Sequence, residues 1–339
     1  MTARDILPQT LRAAELYGDF WFNSEPIPIS ALRGQVILLE FWDYSSVSSI
    51  RTLPYLKEWG SKYMPYGLVV VGVHTPRFSF GRDPSHVEEA IRRYGITFPV
   101  VTDNEGMIAA RYQYSGVPVV VIIDKDGFVR YQTVGEGNYV ATERALQALL
   151  HHAGVGEQLP SLMEPVRDSD RPGAILYRST PDLLTGYVRG SIGNVEGFSP
   201  ESVVGYTDPG LYLSGRFYID GPWLNARDCI QLCGESGKVI LDYEAIEVNA
   251  VAQAGEKAVV EATVLQDERP LAHGECGDDV RVMPDGRSVL TIRAPRNYQI
   301  VRNNEHGRHV LRLELNSRGT LVYGFAFVSG AMSEVLSSS

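Results

Sequence analysis

The sequence predicts an α/β domain followed by an all-β domain of the jelly-roll sandwich type. Up to about residue 155, continuous apolar runs of strand length alternate with helical periods. Beyond residue 206, short β-type runs recur between Gly, Pro and Asp turns. Residues 156–205 carry no sustained period. We therefore expect domains at 1–155 and 206–332, joined by an ordered linker at 156–205.

Composition excludes several classes of partner. The net charge of −10 argues against nucleic acid or an anionic membrane surface. No apolar run approaches the roughly 20 residues that a membrane span requires. The first thirty residues show no leader segment, and three cysteines are too few for a disulfide framework. These features favour a cytoplasmic location, or an extracytoplasmic one if a leader has been removed.

One stretch organises the first domain. Val36–Phe41 is an apolar run interrupted only by Glu40, which predicts a strand buried on both faces. Four serines follow Tyr44, namely Ser45, Ser46, Ser48 and Ser49. Apolar residues then recur with a helical period up to Tyr63. The serines are therefore placed at a strand-to-helix turn, where free backbone N–H groups and the positive end of the helix dipole gather.

The remaining elements of this domain follow from the same patterns. A helix is predicted from Ser48 to Tyr63, and another begins with Pro84 at its first turn. Asp103 opens a helical segment that extends to Tyr114. The predicted strands are Leu68–Val73, Pro99–Val101, Val119–Ile123 and Phe128–Thr133, and the last helix is Ala141–Leu150. This order suits a mixed sheet covered by helices.

The phrase Phe41-Trp42-Asp43-Tyr44-Ser45-Ser46-Val47-Ser48-Ser49, with Pro54 beyond it, resembles the active-site turn of the thioredoxin family. That turn carries Cys-x-x-Cys, and Ser46 and Ser49 fall on its two cysteine positions. The phrases IRTLPYL and GLVVVGVHTP resemble the redoxin (TlpA-type) branch, and most of all DipZ-type proteins. The resemblance implies a thioredoxin-like fold over residues 15–153.

The resemblance also implies a set of roles. Ser46 stands at the position of the attacking cysteine, Ser49 at that of the resolving cysteine, and Glu40 at that of a buried proton carrier. The substrate groove would be shaped by Trp42, Tyr44, Val117 and Pro118, with a cis Val117–Pro118 bond. The activity would be thiol–disulfide exchange with protein or small-molecule thiols and disulfides, with no cofactor because two thiols carry the electrons.

A serine hydroxyl cannot form a disulfide, so the chain as written is expected to be redox-inactive. Both cysteines could have been replaced by engineering, or a natural relative could have kept a binding groove after losing its chemistry. Coincidence in a serine-rich loop is the third and weakest interpretation. A hydrolase is disfavoured because no G-x-S-x-G elbow surrounds either serine and His74 is the one nearby base.

The second domain resembles the β-sandwich of DipZ-type proteins, which looks like a carbohydrate-binding module. The predicted strands are Leu211–Ile219, Lys238–Tyr243, Ala245–Ala252, Val259–Leu265, Val280–Val282, Ser288–Ala294, Gln299–Val301, His309–Leu315 and Tyr323–Val328. A glycan partner would stack on exposed aromatics. The candidates are Tyr212, Trp223, Tyr243 and Tyr298, although aromatics in a sandwich more often belong to the core.

A weak metal candidate lies in the same domain. Its residues are Cys229, Cys233, His273 and Cys276. Zinc accepts Cys3His sets, but the C-x3-C spacing is not the common one. Free buried thiols are the preferred interpretation, and a disulfide from Cys276 is the alternative in an oxidising compartment.

Overall fold

The chain divides into two units between Gly173 and Ala174 in the computed structural model, which describes Leu7, residues 11–156 and residues 158–332. The start of the predicted first domain, residues 1–6 and 8–10, and residue 157 of the predicted linker lie outside the described residues. The predicted linker is shared between the units, because residues 158–173 belong to the first and residues 174–205 to the second.

The first unit is a six-stranded mixed sheet with helices on both faces. Its elements are β1 (Trp21–Phe22), β2 (Val36–Trp42), α1 (Val47–Tyr63), β3 (Leu68–His74), α2 (Pro84–Tyr94), β4 (Val100–Thr102), α3 (Met107–Arg111), β5 (Val119–Ile123), β6 (Val129–Val134) and α4 (Tyr139–His152). The strand order is β1-β4-β3-β2-β5-β6, in which β2 runs parallel to β3 and antiparallel to β5. The predicted α/β fold class is confirmed.

Strand β2 is buried along its whole length and divides its side chains between two hydrophobic clusters. Val36, Leu38 and Trp42 pack with residues of α1, α2 and α4 on one face. Ile37, Leu39 and Phe41 pack with residues of α3 and β5 on the other. Successive side chains of a strand point to opposite faces, so Glu40 is directed towards α1.

The predicted helical segment from Asp103 to Tyr114 is shorter in the structure. Helix α3 starts at Met107 because Gly106 takes a left-handed conformation, with φ of 68°. The Asp103 carboxylate accepts hydrogen bonds from the amides of Ile108 (2.9 Å) and Ala109 (2.8 Å). The aspartate therefore acts as an acceptor for the helix start from outside the helix, rather than as its first residue.

Residues 158–173, which we call the docking segment, have little regular structure and are fixed by side chains of the first unit. The Tyr55 hydroxyl donates to the Asp170 carboxylate at 2.7 Å and accepts from the Val166 amide at 2.8 Å. The Arg51 guanidinium donates to the Ser169 hydroxyl at 3.2 Å. The bond to the Val166 amide satisfies a backbone group that a helix or strand would otherwise pair, and the other two bonds fix side chains of the segment, which explains order without periodicity.

The second unit is strand-rich, and residues 174–332 contain no α-helix. Its strands are β7 (Leu183–Leu184), β8 (Val203–Tyr206), β9 (Phe217–Asn225), β10 (Ile230–Leu232), β11 (Gly237–Gln253), β12 (Val260–Gln266), β13 (Arg269–Pro270), β14 (Val280–Val282), β15 (Ser288–Ile292), β16 (Arg296–Leu315) and β17 (Leu321–Val328). The predicted all-β class of this unit is confirmed. Across the described residues, no helix has the length and apolar character needed to cross a membrane.

Two long strands correct the predicted pattern of short ones. The runs Lys238–Tyr243 and Ala245–Ala252 form one strand, β11, with an irregularity between Ala245 and Glu247. The early part of β11 pairs with β9 and the later part with β17. Strand β16 likewise joins two predicted strands. The pairing register between β11 and β16 shifts between Ala245 and Glu247, so the long strands are irregular close to where the predicted strands were divided.

We expect Tyr55→Phe to loosen the docking segment, because the substitution leaves the Val166 amide and one Asp170 oxygen without the tyrosine hydroxyl. Loss of one partly buried hydrogen bond, about 1 kcal/mol, corresponds to roughly a fivefold acceleration of Val166 amide hydrogen exchange. Tyr17→Phe is the matched control, since Tyr17 is 73% exposed. Equal exchange at Val166 in both variants would contradict this account of the segment.

Candidate functional site

The candidate site is the turn between β2 and α1, and Ser46 is the N-cap of the helix. Ser46 has an extended backbone (φ −91°, ψ 116°), and its hydroxyl oxygen accepts from the Ser49 amide at 3.4 Å. This bond occupies one of the four amides that a helix start leaves free. Ser46 is 3% exposed, so only a small part of the residue reaches the surface.

Ser49 follows Ser46 by three residues, in the first turn of α1, and is fully buried. Its hydroxyl oxygen accepts a hydrogen bond from the Asp43 backbone amide at 3.3 Å. The two serines therefore lie on the same turn, and both hydroxyls serve as acceptors for backbone amides. The structure brings together the two residues that the sequence placed at cysteine positions.

The Asp43 carboxylate holds the turn in shape. It accepts from the Ser45 amide and hydroxyl, each at 2.8 Å, and from the Arg77 amide at 2.8 Å. Burial alone would raise the pKa of Asp43, but the neighbouring His74 and the donors from Ser45 and Arg77 outweigh burial and hold this pKa below its ordinary value. Asp43 is therefore a buried anion fixed by charge-assisted hydrogen bonds.

His74 ends β3 and is completely buried beside this anion. Its Nε2 atom lies 3.7 Å from Asp43 Oδ1, which is beyond hydrogen-bond length, and neither ring nitrogen has a hydrogen-bond partner among the described residues. The Ser45 hydroxyl donates directly to Asp43, so His74 does not lie between a serine and the aspartate. This order of contacts differs from a hydrolase triad, in which histidine takes the serine proton.

The two aromatic residues expected to shape a groove belong to the core. Tyr44 stacks on the His74 ring at 5.2 Å, and Trp42 meets the same ring edge-on at 5.4 Å. Each is 1% exposed. These rings therefore pack beneath the turn and do not line a solvent-exposed groove.

The Val117–Pro118 loop lies at the same end of the sheet as the turn. Its peptide bond is cis. Val119, the next residue, is paired with Phe41 in the ladder between β2 and β5, which places the loop beside Trp42. The Pro118 carbonyl accepts from the Gly135 amide at 2.9 Å. Val117 is only partly buried and packs against the sheet face that carries Phe41.

Glu40 lies below the serine turn with no exposed surface. The Thr52 hydroxyl is hydrogen-bonded to Glu40 Oε1, whereas Oε2 has no partner among the described residues. Burial raises the pKa of Glu40 to about 8, and the bond to Thr52 partly opposes this rise. Glu40 therefore holds a proton at neutral pH, beneath the helix turn that carries Ser49.

Sequence reasoning missed Thr52 and Asp43. Thr52 follows Ser49 by three residues, which places both on one face of α1. That spacing, combined with the inward direction of Glu40, was the available signal for Thr52. Asp43 precedes Ser45 by two residues, a spacing typical of an Asx turn, which was the signal for its role.

The cysteines of the second unit do not form a metal centre in the described part of the chain. Cys229, Cys233 and Cys276 are free thiols. Burial raises the pKa of Cys229 to about 12, and burial also raises the pKa of Cys276. The preferred interpretation as free thiols agrees with this arrangement.

The aromatic residues considered for glycan stacking are mostly core residues. Trp223, Tyr243 and Tyr298 have no exposed surface and belong to the hydrophobic cluster of the second unit. Tyr212 is partly exposed, but its hydroxyl donates to the Asp208 carboxylate. The arrangement therefore provides no aromatic platform among these four residues.

Comparisons with known proteins match both units. Residues 18–132 match the AhpC/TSA family, and residues 180–327 match the family described as thioredoxin like C-terminal domain. Protein DipZ of Mycobacterium bovis is 29% identical over 312 residues, which cover 91% of this chain and 41% of DipZ. This chain therefore spans about two fifths of the length of that relative.

Other relatives match a smaller share of this chain. Thiol-disulfide oxidoreductase ResA of Geobacillus kaustophilus is 28% identical over 121 residues, or 36% of this chain and 67% of ResA. The crystal structure of a thioredoxin-like superfamily protein also matches. The match covers 44% of this chain and 100% of the other chain, with 26% identity and a TM-score of 0.39.

We expect the stability of the first unit to fall as pH rises from about 4.5 to about 8 because of Glu40. Over this range the folded carboxyl keeps its proton and the unfolded one loses it, so each pH unit costs about 1.4 kcal/mol. Glu40→Gln should remove this slope. Hydrogen exchange of β2 amides, compared with wild type at equal pH, measures the difference.

The exposed Glu88→Gln is the control for that experiment. The Asp43 contribution lies outside the window, because a lowered pKa removes stability only below its ordinary value of 3.8. A Glu40→Gln effect of the same size at pH 5 and pH 8 would refute the raised pKa.

Alkylation tests the assignment of the thiols. In the folded protein we expect Cys229 to react with iodoacetamide roughly a hundredfold or more slowly than Cys276, because its thiol is more deeply buried and scarcely ionised. Mass spectrometry of the cysteine peptides measures the rates. Unfolding in urea should equalise them, and equal rates in the folded state would contradict the buried position.

Proposed function

We propose that this chain, which joins a thioredoxin-like redoxin domain of the AhpC/TSA family to a thioredoxin-like C-terminal domain, is a thiol–disulfide oxidoreductase scaffold with a redox-silent active-site turn. The observation that carries the proposal is the position of Ser46 and Ser49 at the start of α1, above the protonated Glu40. The partners would be polypeptides or small molecules that carry thiols or disulfides.

The proposed chemistry requires a thiol at each serine position. A thiolate at residue 46 would lie at the helix N-terminus, where free amides and the helix dipole favour negative charge. It would attack a substrate disulfide and release one substrate thiolate. A thiolate at residue 49 would then attack the mixed disulfide, which releases the second substrate thiolate and closes the 46–49 disulfide. Two electrons pass to the substrate, and its two released sulfurs take up protons.

In molecules whose Glu40 has lost its proton to solvent, the Glu40 carboxylate would take the proton from the buried thiol at residue 49. An acid with a pKa of about 8 is close to the ordinary value of a thiol, so proton transfer between them is nearly balanced. In the chain as written, residue 49 is a serine, so no thiol is present to exchange a proton with Glu40. Glu40 then contributes only a buried, neutral carboxyl.

A binding protein without chemistry is the second candidate function. Its support is that each serine hydroxyl accepts a backbone amide, since such bonds fit serine as a structural residue. In this case the loop at Pro118 and the turn would hold an extended polypeptide with no covalent step. The C-terminal unit would contribute a further binding surface.

We expect the double substitution Ser46→Cys and Ser49→Cys to create dithiothreitol-dependent insulin reduction, whereas the serine chain stays at the dithiothreitol background. The matched control is Ser45→Cys with Ser48→Cys. This pair keeps the same spacing but is displaced by one residue along the turn. Activity in the 46/49 pair alone supports the oxidoreductase scaffold. Background rates in both pairs would sink it and favour the binding protein.

The single substitution Ser46→Cys gives an independent test. With Ser49 unable to resolve the intermediate, a substrate disulfide should remain as a stable mixed disulfide on residue 46. Mass spectrometry under non-reducing conditions detects the added insulin chain. Ser49→Cys alone should give far less adduct, because residue 49 is fully buried. Equal labelling of both single variants would argue against the assigned order of attack.

A further inference from the structure

Thr52 contacts two acceptors with a single hydroxyl group. Its oxygen is hydrogen-bonded to Glu40 Oε1 and lies 2.7 Å from the Ser49 carbonyl oxygen. Thr52 is 3% exposed and Glu40 is 0% exposed, so these bonds lie away from bulk solvent. Neither the thiol chemistry nor the helix cap described above uses this contact.

A count of protons separates two states of this contact. A threonine hydroxyl carries one proton and two lone pairs, and a backbone carbonyl can only accept. Both contacts are satisfied together only when Glu40 is protonated and donates to Thr52, which then donates to Ser49. When Glu40 is anionic, the single Thr52 proton turns to the carboxylate, because hydrogen bonds to a charged acceptor are stronger.

The surroundings of Glu40 favour this two-state behaviour. Its ladder neighbours are Gly72 on β3 and Val120 on β5, which carry no charge. On α4, the Tyr139 hydroxyl interacts electrostatically with Glu40. Burial is the main cause that raises the pKa of Tyr139, so Tyr139 stays neutral while Glu40 titrates. Glu40 Oε2, which has no hydrogen-bond partner in the part of the chain that the structure describes, also makes a buried carboxylate costly.

We propose that Thr52 is a positioning residue that transmits the protonation state of Glu40 to the backbone of Ser49, by reversing the direction of its hydroxyl proton. Loss of the Glu40 proton withdraws the Thr52 bond from the Ser49 carbonyl at the first turn of α1. Only the Glu40 proton leaves, and the Thr52 proton is retained. The relevance to thiol chemistry at residue 49 rests on the proposed function, whereas the coupling itself does not.

The coupling is tested in the serine chain by carbon-13 NMR of the Ser49 carbonyl and the Glu40 carboxyl across pH. In wild type both signals should shift with one common midpoint. Thr52→Val should abolish the Ser49 response and move the Glu40 midpoint upward by about one pH unit, because the stronger bond to the charged form is lost. Thr52→Ser, which keeps a hydroxyl, should restore the Ser49 response and return the Glu40 midpoint to its wild-type pH.

Two further variants complete the test. Glu40→Gln should abolish the Ser49 response while leaving Thr52 in place. If Thr52→Val cannot be folded, a Ser49 carbonyl signal in wild type that does not follow Glu40 still overturns the proposal. A Ser49 response that survives Thr52→Val, or one that Thr52→Ser fails to restore, overturns it as well.

The same threonine variants in the Ser46→Cys, Ser49→Cys background separate this proposal from the proposed function. If the double-cysteine variant reduces insulin and Thr52→Val does not change the pH profile of that activity, the coupling has no role in the thiol chemistry. The oxidoreductase proposal would then still stand. If the double-cysteine variant does not reduce insulin but the Glu40 and Ser49 signals remain coupled through Thr52, the oxidoreductase proposal fails and the coupling stands.

Discussion

The first unit depends on β2, a strand paired on both edges and covered on both faces. Its seven residues are all buried, and it fixes the parallel register of β3 and the antiparallel register of β5. The strand delivers Glu40 beneath α1 and ends at the serine turn. One buried element thus places the acid, the turn and the Pro118 loop at a single end of the sheet, which is why the candidate site has a defined geometry.

Much of this arrangement follows from local patterns in the sequence. The apolar run of β2 and the helical period of α1 locate the turn to within a residue. The sequence could not reveal that Thr52 faces Glu40, since this contact requires the distance between a helix and a sheet. Nor could it show that β11 continues through Ala245, because the continuity comes from pairing with neighbouring strands, which a sequence pattern does not display.

The docking segment shows a different limit. Residues 158–173 have no period because their order comes from contacts with Arg51 and Tyr55, more than a hundred residues earlier in the chain. Hydrogen bonds to side chains that are distant in the sequence leave no repeat in it. The position of the division at Gly173 was therefore beyond pattern analysis, although the change of composition near residue 155 was visible.

The cap formed by Ser46 sets a trade-off between catalysis and folding. Oxygen is a stronger hydrogen-bond acceptor than sulfur, and serine is among the preferred N-cap residues. A cysteine at this position would gain a nucleophile while weakening the first turn of a 17-residue helix. Natural proteins commonly lose stability at active sites in return for reactivity. In this chain the N-cap is a serine, so the residue that secures the start of α1 is one that cannot form a disulfide.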